Sequence, residues 1–445
     1  MKINVVVAFG GKSVEHEISV LSASQVIEAL DQDKYNIIPL YISKNNQMYV
    51  GQELFSVDNF KDIPKMLQNC QQVDFCTKGN ISYLISRDRS KLVSVGSDKL
   101  DQNSKNSQKN EQLVDIVFPV VHGTNTEDGA LAGFIKTYNL PFVGPDVMSS
   151  ALCMDKFFAK NVLQRAEIPV LDGLLFDIQK YKYGYDEMKQ EIMGKFEFPV
   201  IVKPANLGSS VGIKLAHSSD ELDLALDYAF LFARRVLIEP AITNLKEINC
   251  SVLGDHDFAQ ASVCEEPLGA GEILSYENKY LGGGGTKNGS KGIKINNIPE
   301  NEFPKLPDHV LLVGSKMVSS DSETKGEGMA SLGRKIPAEI SEEETEFVQK
   351  IAVEAFHVLD CQGVCRIDFM KDLDTNRIFI NEINTIPGSL AFYLWEASGI
   401  SFSDLLDRLI ELGFKRMREE SEVNYSFDTN ILSMRSGQGS KSPKR

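Results

Sequence analysis

Apolar positions along this chain gather into short runs, and between several of them the spacing turns helical. Residues 3–9 form one such run, a glycine turn follows at Gly10-Gly11-Lys12-Ser13, and an amphipathic stretch reaches about residue 30. That order predicts a strand, a turn and a helix, the ordinary opening of an α/β domain. Residues 37–42 and 115–121 predict further buried strands, and a helix over 130–138 with a short strand at 141–143 closes a first domain near residue 147. From about 51 to 112 apolar residues are sparse and an irregular region is expected; its Asn/Ser/Lys/Gln-rich part, 98–112, reads as an exposed loop or disordered insert.

The second half alternates in the same way. A helix opens at Met154-Asp155-Lys156, a strand over 198–202 ends in Lys203-Pro204, a helix spans 220–235, and strands are expected at 236–239 and 247–252. A polar, glycine-bearing stretch runs from 282 to about 333, in character a mobile loop. A helix over 341–359 then leads to two β-rich runs, 364–370 and 378–384, read as an antiparallel hairpin with a long turn near residues 374–376. A helix at about 402–417 ends the periodic part, and residues 426–445 read as a disordered tail.

Composition narrows the possibilities. At 445 residues the chain exceeds one compact core and implies two to four domains. A formal net charge of −15 argues against broad nucleic-acid binding, since no basic surplus exists to neutralise phosphates, so any nucleotide partner is small and locally held. The N-terminus enters a strand without the apolar core of a signal peptide, and no apolar run is long enough to span a bilayer, so a cytoplasmic protein with no membrane partner is expected. Seven scattered cysteines fit reduced thiols; Cys361 and Cys365 are the closest pair, and without a second Cys/His pair nearby they do not make a zinc site.

The hairpin carries the strongest chemical signal. Side chains alternate along a strand, so Arg366 and Asp368 share one face, as do Ile380, Glu382 and Asn384. Symmetry about Thr375 sets Asp368 opposite Glu382 and Arg366 opposite Asn384. Two carboxylates facing each other repel, so a positive group is expected between them. Asp, Glu and Asn together supply the all-oxygen ligands of Mg²⁺, which prefers one or two carboxylates plus substrate phosphates. The alternative, an acidic face that simply meets water, fits poorly with apolar flanks that end in Pro387-Gly388.

Other segments are individually weaker. Gly11-Lys12-Ser13 is not a phosphate-binding P-loop, because Val6 stands where the motif needs glycine. Glu15 and Glu17 suit the positive end of a helix dipole, with capping as the plain alternative. His122 and Glu127 follow a buried strand at the end where open α/β sheets place ligands, although a lone histidine is often structural. The loop Ala205-Asn206-Leu207-Gly208-Ser209-Ser210-Val211-Gly212, just after Lys203, can hold phosphate by successive backbone N–H groups or be a tight hairpin. Glu239 and Glu247 follow or open strands, where they bind adenine and ribose or solvate an edge; nothing local decides. The segment holding Lys279 and Tyr280 precedes the glycine-rich stretch and is a candidate lid.

Taken in order, these segments resemble the D-alanine–D-alanine ligases of the ATP-grasp superfamily. The matching stretches are residues 10–22 (GGKSVEHEISVLS), 122–129 (HGTNTEDG), 148–156 (MSSALCMDK), 200–212 (VIVKPANLGSSVG) and 276–281 (YENKYL), with Arg366, Asp368 and residues 382–388. The resemblance implies an α/β chain with α+β elements: an N-terminal open parallel α/β substrate domain (1–147), then a two-part ATP-grasp fold (148–240 and 241–425). It implies ATP as co-substrate and two Mg²⁺ ions, Mn²⁺ being an acceptable substitute, on Asp368, Glu382 and Asn384 with Glu382 bridging. Lys156, Lys203, Ser209, Ser210 and Lys279 would meet ATP, Glu239 the adenine and Glu247 the ribose. Glu15 would pair with the ammonium of the first D-alanine, with Ser209 and Tyr280 completing its group and His122 and Glu127 as neighbours. Arg366 and the Gly388 amide would face the reacting carboxyl. The implied reaction runs through an acyl phosphate toward a peptidoglycan precursor, in a cytoplasmic homodimer. Tyr280 matches the dipeptide type of lid rather than the lactate type. Tyr393, where many members carry a small hydroxyl residue, leaves D-serine open as the second substrate. A non-catalytic nucleotide-binding role is disfavoured, because simple binding needs no oxyanion arginine.

Overall fold

The computed structural model describes residues 2–87, 111–268 and 333–426. Three sheets organise it. The first has seven strands: β1 (Ile3–Gly10), β2 (Tyr35–Ile42), β3 (Met48–Val50), β4 (Gln71–Lys78), β5 (Ile81–Ser86), β6 (Glu111–Val114) and β7 (Ile116–Val120), in the order β6-β5-β4-β3-β2-β1-β7. β1 lies parallel to both β2 and β7. Its residues Val5, Val6, Val7, Ala8 and Phe9 are all at most 1% exposed, as a strand covered on both faces must be.

The other half of this sheet corrects the expectation for residues 51–112. β3, β4, β5 and β6 pair antiparallel there, and they bury a single face through alternating residues such as Val73, Phe75 and Leu84. One covered face needs only every second residue to be apolar, so the segment reads as sparse along the sequence. Of the expected insert at 98–112, Glu111 and Gln112 belong to β6 and the rest lies outside the described residues. The strand expected at 141–143 is reduced to one bridge, Phe142 with Val117.

The second sheet comprises β8 (Leu174–Asp177), β9 (Val200–Pro204), β10 (Lys214–Ala216) and β11 (Arg235–Pro240), ordered β10-β9-β11-β8 and antiparallel throughout. The helix Ser219–Phe230 covers it, capped by Ser218, and it stops short of the expected residue 235 because Arg235 already belongs to β11.

The third sheet holds the hairpin: β12 (Leu245–Gly254), β13 (Ala259–Pro267), β14 (Arg334–Lys335), β15 (Gly363–Asp372) and β16 (Arg377–Asn384), ordered β14-β13-β12-β15-β16. The helix Glu342–Val358, opened by a capping box between Ser341 and Glu344, covers one face. Val348, Ala352 and Phe356 from the helix form a core there with Ile248, Cys250, Ile367, Phe369 and Ile383. Alternation then sends Asn249, Arg366, Asp368, Glu382 and Asn384 to the opposite face. The last helix, Phe402–Ser421, puts Leu405, Leu406, Leu409 and Ile410 into the core of the first sheet. Among the described residues no helix is long and apolar enough to cross a membrane.

Candidate functional site

β15 and β16 pair Arg366 with Asn384 and Asp368 with Glu382, the register expected from symmetry about Thr375. Beyond Asp368 the ladder shifts: Phe369 faces Ile380, which makes Asn381 an extra residue in β16. A bulge re-aims a side chain, and Asn381 Oδ1 here accepts a hydrogen bond from Lys203 Nζ at 3.2 Å. On the other side of the hairpin, Asn249 of β12 stands opposite both Asp368 and Glu265 of β13. One row across four strands therefore runs Glu265, Asn249, Asp368, Glu382.

Each carboxylate of the expected metal set has a cation of its own. Arg366 grips Asp368 with two hydrogen bonds, Nε to Oδ1 at 2.7 Å and Nη2 to Oδ2 at 2.8 Å. Lys156 Nζ stands 3.1 Å from Glu382 Oε2. Positive charge thus flanks the Asp368–Glu382 pair. Asn384 Nδ2 donates to Asp368 Oδ2 at 3.0 Å, which leaves its carbonyl oxygen as the atom it can offer a cation. Burial opposes the Arg366 charge, yet the Asp368 carboxylate holds the guanidinium well above the ordinary arginine pKa. Arg366 Nη1 is buried and has no hydrogen-bond partner among the described residues, so one donor is kept for a group in the cleft.

Glu15 arrives from the first sheet. It precedes the helix His16–Ala29 without capping it. Ser209 Oγ instead donates to Glu15 Oε1 from 194 residues away. Two glycines make the room: a Cβ on Gly123 would come within 2.7 Å of Glu15 Oε2, and one on Gly208 within 2.8 Å. Glu17 turns outward to Lys44.

The turn after β16 is clasped from the first sheet. His122 donates from Nδ1 to the Ile386 carbonyl (2.9 Å), so its Nε2 accepts from Ser22 Oγ (2.9 Å), and Ser22 Oγ accepts from the Ser389 amide (3.0 Å). Burial lowers the His122 pKa to about 4, which keeps the ring neutral at pH 7. Glu127 accepts from the amides of Gly123 (2.9 Å) and Ile386 (3.1 Å) and from Thr385 Oγ1 (3.3 Å). Its carboxyl is pushed up to about 7, first by burial and then by Glu15 nearby. Ser389, Leu390 and Ala391 all sit at φ between 51° and 53°. Left-handed backbone costs a non-glycine residue about 1–2 kcal/mol, and the clasp holds three such residues beside Gly388.

Behind the cleft lies a buried group of charges. Glu239 of β11, 1% exposed, pairs with Lys203 of β9 (2.5 Å) and with Lys160. Burial penalises its charge, but Lys160 and Lys203 hold its pKa below the usual range. Burial also lowers Lys160 to about 8, against the pull of Glu239. Glu239 was expected at a strand end and instead sits inside one. Lys160 was not singled out from sequence; its signal was the spacing of four from Lys156, which puts both on one helical face.

The cleft is lined by Glu15, His122, Glu127, Lys156, Ser209, Arg366, Glu382, Asn384 and Gly388. Ser210 follows Ser209 in the loop after β9, also at positive φ. Glu247, the third residue of β12, lies on the same face as Asn249, opposite Met370. Lys279, Tyr280 and the lid expected around them lie outside the described residues. At the far end of the polar row, Glu265 accepts from Asn249 Nδ2 (2.9 Å), Arg334 Nη1 (3.0 Å) and Tyr393 Oη (3.0 Å), with the Arg334 guanidinium 3.9 Å above the Tyr393 ring. Sequence reading pointed to Tyr393 and missed its two partners, which follow only from strand pairing.

Residues 4–145 match the family model described as the D-ala D-ala ligase N-terminus, and residues 162–302 and 318–411 match the D-ala D-ala ligase C-terminus. The chain is 34% identical over 440 residues to the D-alanine–D-alanine ligase of Thermosipho melanesiensis, covering 98% of this chain and 99% of that protein. It belongs to the D-alanine–D-alanine ligase family. The ligase of that name from Oceanobacillus iheyensis is also 34% identical, over 96% of this chain and 99% of its own length. Among solved structures, the D-alanine–D-alanine ligase of Coxiella burnetii superimposes with a TM-score of 0.69 at 26% identity, covering 98% of each chain. VanG D-Ala:D-Ser ligase of Enterococcus faecalis gives 0.65 at 26% identity, over 93% of this chain and all of that one. In this member of the D-alanine–D-alanine ligase family the cleft draws on both matched parts: Glu15, His122 and Glu127 from the first, Arg366, Glu382 and Asn384 from the second, with Lys156 between them.

Proposed function

We propose that this chain joins two D-alanines into D-alanyl-D-alanine at the expense of ATP. The observation that carries the reading is the meeting, in one cleft, of the Glu15 carboxylate, the Lys156 ammonium, the spare Arg366 donor and the oxygens of Glu382 and Asn384, with Asp368 hydrogen-bonded directly behind Arg366 and Asn384. Those oxygens fit Mg²⁺, because the donors are all hard and two are carboxylates. When bound, the metal supplies charge neutralisation of the ATP phosphates.

The chain's own residues account for the rest. Lys156, Lys203 and the loop with Ser209 and Ser210 receive phosphate oxygens, and Glu239 and Glu247 take the nucleoside side. Glu15, braced by Ser209, binds the ammonium of the first D-alanine and aims its carboxylate at the γ-phosphoryl group. Two anions approach each other in that step, and the lysines lower the barrier by offsetting the charge that develops. The second amine then attacks the acyl phosphate carbonyl. Arg366, always protonated, and the Gly388 amide stabilise the oxyanion. His122, neutral and fixed in one tautomer, and Glu127 hold the turn that carries Gly388. By resemblance Lys279 and Tyr280 complete this group and shield the acyl phosphate from water.

Incubation with MgATP and D-alanine, D-serine or D-lactate, singly and paired, followed by phosphate release and product mass, tests the reading. D-Alanine alone is expected to release phosphate and yield the dipeptide. No release with any of the three overturns the ligase assignment. A mixed D-alanyl-D-serine product in preference to the homodipeptide would shift the second-substrate assignment, which the bulk of Tyr393 and the likeness to VanG make the right comparison.

A further inference from the structure

The cleft has a thiol in its wall. Cys153 lines it from the end of the helix Val147–Met154. Its Sγ lies 3.7 Å from Cys361 Sγ, 208 residues away in the chain. Cys361 follows the helix Glu342–Val358, and it lines a different hollow, a surface pocket of about 310 Å³ shared with His256, Asp257, His357 and Asp360. Both residues are nearly buried, at 4% and 3% exposure. The pair therefore bridges two cavities, with Cys153 facing the cleft and Cys361 facing the outside.

We propose that Cys361 and Cys153 form a peroxide-oxidised disulfide site that acts on the cleft through Lys156. Cys361 is the sulfur placed to react first, because the surface pocket reaches it and it stands between the thiols of Cys153 and Cys365. Those two contacts lower its pKa against the effect of burial, which favours the thiolate. The Cys361 sulfur attacks one oxygen of hydrogen peroxide, the O–O bond breaks, and the departing hydroxide leaves as water with the thiol proton. The product is a sulfenic acid. The Cys153 sulfur then attacks the sulfenic sulfur, the S–S bond forms, the S–O bond breaks, and the second water carries off the Cys153 proton. Two thiols and one peroxide give one disulfide and two waters.

Closing 3.7 Å to a bond of about 2.0 Å requires roughly 1.7 Å of approach. Cys153 is three residues before Lys156, whose ammonium sits against Glu382 and also donates to the Leu207 carbonyl at 2.6 Å. A reacting group displaced by about 1 Å can lose on the order of 100-fold in rate. Oxidation is thus expected to silence the cleft without unfolding the chain.

The test uses the full-length reduced protein treated with hydrogen peroxide, then alkylated and mapped by peptide mass spectrometry, with D-alanine-dependent phosphate release measured in parallel. The expected result is a Cys153–Cys361 cross-link two hydrogens lighter than the free peptides. Activity should fall at least about 10-fold and return on treatment with dithiothreitol. Cys250 and Cys264, paired across β12 and β13, should remain alkylatable. Cys361→Ser is expected to keep the untreated activity and to resist peroxide. Inactivation without the cross-link, a cross-link with full activity, or a Cys361→Ser protein as sensitive as the parent each overturns the proposal. The map on the parent protein needs no variant, so a poorly folding Cys361→Ser leaves the site judged. Only the activity readout rests on the ligase reading: absent phosphate release before peroxide sinks that reading, and the cross-link still decides the thiol pairing.

Discussion

The first and third sheets solve the burial problem in opposite ways, and chemistry follows the difference. β1, β2 and β7 are parallel and covered on both faces, so almost every residue from Val5 to Phe9 is apolar and fully buried. Such strands have no free face for polar side chains, and their contributions, Glu15, His122 and Glu127, come from the loops at the carboxyl ends. β12, β13, β15 and β16 are antiparallel, and the helix Glu342–Val358 packs on one face. Their other face carries the row from Glu265 to Glu382 together with Arg366 and Asn384. A polar row inside a sheet is stable only when its charges are paired, and here Arg334, Arg366 and Lys156 do the pairing.

Substitutions sharpen that contrast, beginning with the largest effect. Glu382→Gln on the polar row is expected to lower kcat on the order of 1000-fold or more, the scale on which preorganised charge acts. The melting temperature should stay within a few degrees, and an active variant would remove Glu382 from the metal assignment. Phe118→Ala in β7 should do the reverse, costing about 3–5 kcal/mol of stability while the folded fraction keeps its kcat; urea titration with parallel assays separates the two.

Glu127 links the sheets, and its titration gives the third test. Its folded pKa of about 7 lies above the usual 4.5. The folded chain therefore holds a proton that the unfolded chain has already released. The associated stability is complete below pH 4.5 and is lost as pH rises through 7, a change on the order of 3 kcal/mol. Denaturation midpoints across that window should slope downward for the parent and flatten for Glu127→Gln; equal slopes would show that another group is responsible. Tyr393→Phe is the smallest change. Losing one hydrogen bond to Glu265 should cost about 0.5–1.5 kcal/mol, read as a several-fold rise in KM for the second D-amino acid with the first unaffected.

The hairpin register was legible because side chains alternate strictly and the acidic residues sit within apolar runs. The bulge at Asn381 was not, since nothing in Ile380-Asn381-Glu382 marks which residue is extra. The antiparallel half of the first sheet was missed because a strand buried on one face spends half its residues on solvent. Glu15 illustrates the same limit from another side: its position ahead of a helix suggested a cap, its grouping with Ser209 came through the family resemblance and not from local pattern, and in the folded chain Ser209 donates to its carboxylate.

By itself the sequence determined the parallel strands of the first sheet, the hairpin of the third, the two glycine-bearing loops and the set of residue types able to handle phosphate and carboxylate. These are local properties of spacing and composition. Which lysine meets which glutamate, which thiols touch, and that Arg334 and Tyr393 close on Glu265 were decided by tertiary structure alone. Such contacts join residues tens to hundreds of positions apart, and their geometry depends on how three sheets are placed against one another, which no local pattern encodes.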